Sequence, residues 1–283
     1  MSAVETKDWV QNRSLAVISC VHGNLFALEA VFADIVRRDI QHIVCLGDFV
    51  GYGPQPNEVI AFIRQHRIRS IMGCWDENIV QGNSDCGCEF TSPEEMELGR
   101  LAFEWTANEI NTESVDFLSE LPASIELKTQ ARTMLFVHGS PKSKTEYLTL
   151  EQAEIVQYIR AAEAGCDVLF CGHTHVPFVK NLRCDMTLDV KTMDRAIVKN
   201  HKKFKDKLLI NAGSVGEPRH GGLEATYVVY HGRKSEVEIC SVPYPHEKTV
   251  DLMWKKNVPS ILIDRFQNGQ EMTGKNKDIY CSC

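Results

Sequence analysis

The chain alternates short, almost wholly apolar runs with stretches whose apolar residues recur every three or four positions. Leu15 to Ile18 is a run of the first kind, rich in β-branched residues and too short for a helix, so it predicts a buried strand. The following segment places apolar residues at 25, 28, 32 and 35, one face of a helix. Ile43 to Leu46 predicts a second strand, which completes a βαβ unit. Asn57 to His66 repeats the helical pattern through Val59, Ile60 and Ile63, with Pro56 at its start, and leads into a strand ending at Cys74. A parallel sheet with right-handed crossovers is the economical topology.

Residues from about 78 to 120 break this rhythm with a polar, glycine-rich stretch and then a helix capped by Ser92. They read as an insertion that leaves the sheet edge and returns. Leu121–Leu127 and Arg132–Val137 predict an antiparallel pair, followed by a helix over 152–164 and a strand from Val168. The last third is β-rich, with strands expected at Phe178–Val190, Arg195–Val198, Leu208–Asn211, Ala225–Tyr230 and Glu236–Val242. Such a run suggests a second sheet packed on the first. The basic stretch 199–207 reads as a solvated hairpin tip. Beyond Pro245 the chain is mostly polar apart from Val258–Phe266, so one domain is expected over 1–245, with a C-terminal extension over 246–283.

The chemistry gathers where strands stop. The first strand ends in Cys20, His22, Gly23 and Asn24, and the second in Asp48. The run toward Gly73 ends in Cys74, and later runs end in His138 and in His173-Thr-His175. Side chains at the carboxyl ends of strands in open α/β sheets converge on one crevice. Cys, His and Asp are the ligand types of zinc, iron and manganese, and seven such residues on a common edge suffice for two ions.

Composition narrows the class. With 283 residues and 43% apolar content the chain can bury a full core, and no segment approaches the ~20 apolar residues of a membrane span. The N-terminus lacks a signal pattern, which gives a cytoplasmic location as the expectation. A net charge of −7 disfavours general binding to nucleic acid or to anionic membranes. Of the 11 cysteines, Cys45, Cys166 and Cys171 lie inside apolar runs and read as core. Cys20, Cys74, Cys86 and Cys88 lie in polar or glycine-rich turns and invite a chemical reading.

His22-Gly-Asn, Gly47-Asp48 followed by Gly51-Tyr-Gly-Pro, Gly73-x-x-Asp76, His138-Gly and Gly172-His-Thr-His175 resemble the motifs of the calcineurin-like metallophosphoesterases in order and spacing, over about Leu15 to Val242. The stretch from Asn211 to Arg219 is similar to the closing signature of that family's small prokaryotic phosphodiesterase branch. The resemblance implies an α/β fold of two mixed β-sheets packed as a sandwich and flanked by helices, four layers in all. It also implies two divalent transition metals, one held by residue 20, His22, Asp48 and His175 and the other by Asp48, residue 74, His138 and His173. The implied activity is that of a phosphodiesterase hydrolysing a small phosphoester or nucleotide. Asp48 and His138 are then expected in the catalytic machinery, with Asn24 and Arg219 contacting phosphate, while Ser214 and Gly216 shape their loop.

The chain departs from the family in putting Cys20 where members have aspartate and Cys74 where they have asparagine. Sulfur at both positions favours zinc or iron, with manganese allowed, and weakens the ions as Lewis acids. Trp75 stands where many members carry a histidine that assists the leaving group, which favours substrates with good leaving groups. Two readings of the thiols remain open: an enzyme tuned by thiolates, or a non-catalytic thiolate-metal protein acting as a redox or metal sensor or scaffold. Cys86 and Cys88 are either ordinary loop residues or accessory thiols folded over the site, for an extra metal or an iron–sulfur cluster. Oligomeric state and substrate identity are not legible in the sequence.

Overall fold

The computed structural model describes residues 14–90, 92–129, 131–183 and 205–268. Two five-stranded sheets face each other. The first has the order β10 (Glu236–Val242), β9 (Ala225–His231), β1 (Ser14–Ile18), β2 (His42–Cys45), β3 (Arg69–Ser70). The second runs β4 (Ile125–Lys128), β5 (Thr133–Phe136), β6 (Val168–Cys171), β8 (Lys207–Asn211), β7 (Phe178–Leu182). Both are mixed. In the first, the parallel strands β1-β2-β3 run to one edge and β9 and β10 continue antiparallel on the other side; in the second, the parallel trio β5-β6-β8 is flanked by antiparallel β4 and β7. The parallel topology expected from the βαβ pattern therefore holds for three strands of each sheet.

Strand periodicity explains the layering. Leu15 and Val17 on β1 point between the sheets with Phe136, Val168, Phe170, Ile210, Val228 and Tyr230. Ala16 and Ile18 point the other way, into the core shared with α1 (Leu25–Arg37), α2 (Pro56–Gln65), α3 (Cys74–Gln81), α4 (Pro93–Glu109) and α5 (Thr112–Ser119). On the far side, Leu169, Cys171 and Leu209 pack with Tyr158 and Ala161 of α6 (Glu154–Glu163). The inner strands β1, β6, β8 and β9 are buried on both faces, which is why they read as unbroken apolar runs. Cys45, Cys166 and Cys171 lie in these cores, as expected.

The chain beyond Pro245 is not a loose polar tail over its described part. It forms α7 (His246–Lys255) and α8 (Ser260–Asn268), which bury Val250, Met253, Val258, Leu262, Ile263 and Phe266 against the α1 side of the first sheet. The strand expected at Phe178–Val190 is described only as far as residue 183, with β7 ending at Leu182; its remainder, the strand expected at Arg195–Val198, positions 199–204 of the basic stretch and the final Cys281-Ser-Cys283 lie outside the described residues. Among the described residues no helix is long and apolar enough to cross a membrane.

A candidate dinuclear metal centre

The parallel strands of both sheets release the chain at one edge, where it turns abruptly. Cys20 (φ 53°), His22 (46°), Asp48 (57°), His173 (63°) and His175 (62°) all sit in the left-handed region that non-glycine residues seldom occupy. Such positions cost of order 1–3 kcal/mol each and persist where the surroundings over-determine them. The surroundings here are backbone bonds between neighbouring turns: Cys20 N–H to Gly47 O (3.0 Å), His22 N–H to Asp48 O (2.9 Å) and Gly172 N–H to His138 O (2.8 Å). Gly73 permits a close approach to the site, since a Cβ there would lie 2.1 Å from Oδ1 of Asp48. Cys74 is not a strand end, as its sequence suggested; β3 stops at Ser70 and Cys74 opens α3, with Gly73 as its N-cap.

The donors fall into two groups, Asp48 with Cys74, His138 and His173, and Cys20 with His22 and His175, and the ligand atoms of each group lie within 4.8 Å of one another. All seven are buried, none more than 4% exposed. Asp48 joins the groups. Its Oδ1 accepts the Trp75 N–H (2.9 Å), while Oδ2 lies 3.1 Å from His138 Nε2, 3.6 Å from Cys74 Sγ and 3.7 Å from His22 Nε2. His22 Nε2 and His175 Nε2 face each other at 3.1 Å.

The imidazoles are oriented from behind. Nδ1–H of His22 donates to Val50 O (2.8 Å), that of His138 to Leu46 O (2.8 Å) and that of His175 to Glu217 O (2.6 Å), which leaves each Nε2 lone pair aimed at the centre. His173 presents Nδ1 instead, 3.6 Å from Cys74 Sγ, under the ring of Tyr147 at 4.2 Å. Burial holds the His22, His173 and His175 pKa values down, His175 to about 3, so these rings are neutral, the form a metal ion requires. Burial also pushes the Cys20 thiol up to about 12 and that of Cys74 higher still. A cation is what turns such thiols into thiolates. Burial opposes the charge on Asp48, but His138 beside it keeps the carboxylate ionised; burial lowers the His138 pKa but Asp48 more than offsets it, to about 9, so a cation would have to displace the proton on its Nε2.

The spacings suit a tetrahedral ion. Zn–S ≈ 2.3 Å and Zn–N ≈ 2.0–2.1 Å imply S···N edges of roughly 3.6 Å. Cys74 Sγ stands at 3.6 Å from both His138 Nε2 and His173 Nδ1. The donor chemistry and the back-bonded rings thus fit two metal ions sharing Asp48.

Two acids to which the sequence assigned no role, Asp76 of the Gly73-x-x-Asp76 motif and Glu217, hold this arrangement. Asp76, fully buried, accepts the N–H groups of Asp48 (2.8 Å), Phe49 (2.9 Å) and Gly73 (2.9 Å). Burial and the Asp48 carboxylate push its acid upward against these donors, which favour the anion. Glu217 places Oε2 at 3.0 Å from His175 Nδ1 and accepts from Arg219 (2.7 Å) and, through Oε1, from Arg265 of α8 (3.2 Å). Burial opposes its charge, but Arg219, Arg265 and His175 keep the carboxyl well below the usual range. Glu217 lies inside the Asn211–Arg219 signature; its neighbour Pro218 and the cation at 219 were the available signal.

The remaining candidates divide. Asn24 is not a phosphate contact here: it is fully buried as the N-cap of α1, accepting from Ala27 N–H (3.2 Å) and Thr249 Oγ1 (3.2 Å) and donating to Gly216 O (3.1 Å) and Tyr244 (3.2 Å). Ser214 and Gly216 shape the loop as expected, Ser214 Oγ donating to Cys20 O (2.8 Å). Arg219 is half-buried beside His175, its guanidinium 5.9 Å from the Tyr52 ring centre. Trp75 is buried against Tyr52, His22 and Phe103, so no histidine occupies the leaving-group side at that position. Cys88 reaches the centre, with Sγ 3.6 Å from Cys74 Sγ, whereas Cys86 packs into the core.

A two-sheet sandwich that gathers seven candidate metal donors at one edge has the layout of a dinuclear metal site. The family model for the calcineurin-like phosphoesterase superfamily domain matches residues 14–235, and the chain belongs to that superfamily. The uncharacterized protein MJ0912 of Methanocaldococcus jannaschii is 33% identical over 258 residues, 90% of this chain and 98% of its own. A metallophosphoesterase from Sphaerobacter thermophilus superposes with TM-score 0.67 at 28% identity, over 91% of this chain and 99% of that one. The hypothetical protein PH1004 from Pyrococcus horikoshii has the same fold, with TM-score 0.71 at 19% identity and coverage of 92% and 99%.

Proposed function

We propose that the protein is a metal-dependent phosphodiesterase acting on a small phosphoester or nucleotide, with zinc or iron held through the thiolates of Cys20 and Cys74. The observation that carries this reading is the placement of Asp48 Oδ2 between the two donor groups, near His22 Nε2, His138 Nε2 and Cys74 Sγ at once. Two divalent ions there would supply Lewis acidity toward a phosphoryl oxygen and an activated water near neutral pH. The chain's own residues do the rest. Asp48, with Oδ1 tied to the Trp75 N–H, keeps Oδ2 free to bridge. Glu217 fixes the tautomer of His175 and anchors Arg219, whose remaining N–H groups at the half-buried rim suit a phosphate oxygen. Trp75, packed against Tyr52 and Phe103, offers no proton to a leaving group. That favours activated esters.

The test is hydrolysis of an aryl phosphodiester and the matching monoester over roughly pH 6 to 10, with zinc, iron and manganese supplied separately to protein prepared without oxygen. The expected result is turnover of the diester with zinc or iron, abolished in His138→Ala. A folded protein carrying two ions that cleaves neither ester with any metal would overturn the phosphodiesterase reading.

A further inference from the structure

The match to the family domain ends at residue 235, yet the helices that follow it reach the metal centre. α7 is fixed to α1 through Thr249, whose Oγ1 donates to Oδ1 of Asn24, the cap of that helix (3.2 Å). α8 is fixed to α7 by the burial of Val250, Met253, Leu262 and Ile263. His246 adds to this, stacking on Phe266 (4.9 Å between ring centres) and donating from Nε2 to its carbonyl oxygen (2.9 Å). From that footing Arg265 turns inward. Its Nε donates to Oε1 of Glu217 (3.2 Å), and its guanidinium lies 5.9 Å from the Tyr52 ring centre, as does that of Arg219.

The two oxygens of Glu217 are thereby divided. Oε1 faces Arg265, while Oε2 accepts from both Nε (3.2 Å) and Nη2 (2.7 Å) of Arg219 and stands 3.0 Å from Nδ1 of His175. An arginine commonly meets a carboxylate with its fork spread over both oxygens. Here Arg219 is confined to one, and its Nη1 makes no hydrogen bond among the described residues.

We propose that Arg265 is a positioning residue for phosphate binding: by engaging Oε1 of Glu217 it confines Arg219 to Oε2, which presents Nη1 of Arg219 to a phosphate oxygen and keeps the carboxylate behind His175. The α7–α8 pair is then a working part of the site as well as a cover on the first sheet. The proposal rests on the phosphodiesterase reading above and assigns what holds its phosphate contact in place. Without the Arg265 bond the carboxylate is free to turn and meet the Arg219 fork with both oxygens. That turn moves the guanidinium and takes Oε2 away from His175.

Isothermal titration of inorganic phosphate into anaerobically prepared protein carrying two zinc ions reads this without turnover. Arg265→Gln should weaken phosphate roughly 10-fold, the scale of one lost hydrogen bond to a charged group. Arg265→Lys keeps a cation for Oε1 and should recover most of that loss. Because Arg265 acts through Arg219, adding Arg265→Gln to Arg219→Gln should cost nothing further, whereas a merely structural loss would add. Melting points in excess chelator establish that the variants fold, and Arg265→Met, which keeps the packed stem, supplies a second variant. Phosphate affinity unchanged in both Arg265→Gln and Arg265→Met, or a loss that adds to that of Arg219→Gln, overturns the assignment. A native two-zinc protein that binds no phosphate overturns the assignment and the phosphodiesterase reading together. Phosphate binding that depends on Arg265, in a protein that cleaves neither ester, overturns the phosphodiesterase reading alone.

Discussion

Replacing Asp76 tests how the strand-end turns are held, because this carboxylate touches no proposed metal position yet bonds to the backbone of two loops. Its Oδ2 accepts from Asp48 and Gly73 N–H, and its Oδ1 from Phe49 N–H, all within 2.9 Å and all buried. In Asp76→Asn the amide oxygen can keep the pair at the Oδ2 position, but the new NH2 faces the Phe49 N–H. One buried donor is left unpaired, at about 1–3 kcal/mol, and the charge assistance of the other two bonds is lost. In Asp76→Ala three buried donors are orphaned. A cost of about 4–6 kcal/mol is expected, a large share of the ~5–15 kcal/mol that stabilises a domain. Urea denaturation in excess chelator isolates this effect from metal linkage, and it should give midpoints falling in the order wild type, Asn, Ala at unchanged slope. Zinc affinity should fall in Asp76→Asn as well, since the Asp48 backbone loses its tether. A loss under ~1 kcal/mol for Asn, or Ala no worse than Asn, would refute the reasoning.

Other expectations follow from the same geometry. Cys20→Asp with Cys74→Asn exchanges two soft donors for hard ones and should shift the preferred metal from zinc or iron toward manganese, read as relative affinity by competition; an unchanged order would count against thiolate ligation. Glu217→Gln removes the carboxylate behind His175 and the shared partner of Arg219 and Arg265, so the affinity of the ion at His22 and His175 should fall on the order of 10–100-fold while the other ion is retained. Burial disfavours the charge of Asp34, yet Tyr227, Arg38 and Arg37 bring its pKa below the ordinary value. Its contribution to stability is therefore complete above the unfolded-state pKa of about 3.9 and is lost as pH falls through the lower folded-state value. Asp34→Asn should flatten the acid limb of a stability-versus-pH curve, and an unaltered limb would show that Asp34 is not responsible for it.

The gathering of the seven candidate donors was legible because six of them follow strands whose ends share an edge; Cys74 joins them from the start of α3 instead. The layering was legible for a related reason: strands covered on both faces lose their alternation and announce themselves as continuous apolar segments. What escaped depends on distances across the fold. Asp76 and Glu217 are lone acids whose partners are backbone N–H groups or a histidine 42 residues away. Asn24 reads equally well as a ligand or as a cap, and only the buried surroundings of α1 decide between them. The α7–α8 pair hid its apolar face in short helices, where Val250 and Met253 are three apart and the exposed Trp254 blurs the period. Cys88 could not be separated from Cys86 by sequence, because both lie in one turn and only the path of the loop sends one thiol to Cys74.

The central claim is that seven side chains hold two ions across a shared Asp48. Anomalous scattering from crystals of the anaerobically reconstituted protein, collected above and below the zinc edge, locates the ions without reference to activity. Two peaks are predicted, one amid Cys20, His22, Asp48 and His175 and the other amid Asp48, Cys74, His138 and His173, at the ~3.5–4 Å separation of two-metal hydrolytic sites. A single peak, or a pair that leaves Asp48 uncoordinated, would contradict it.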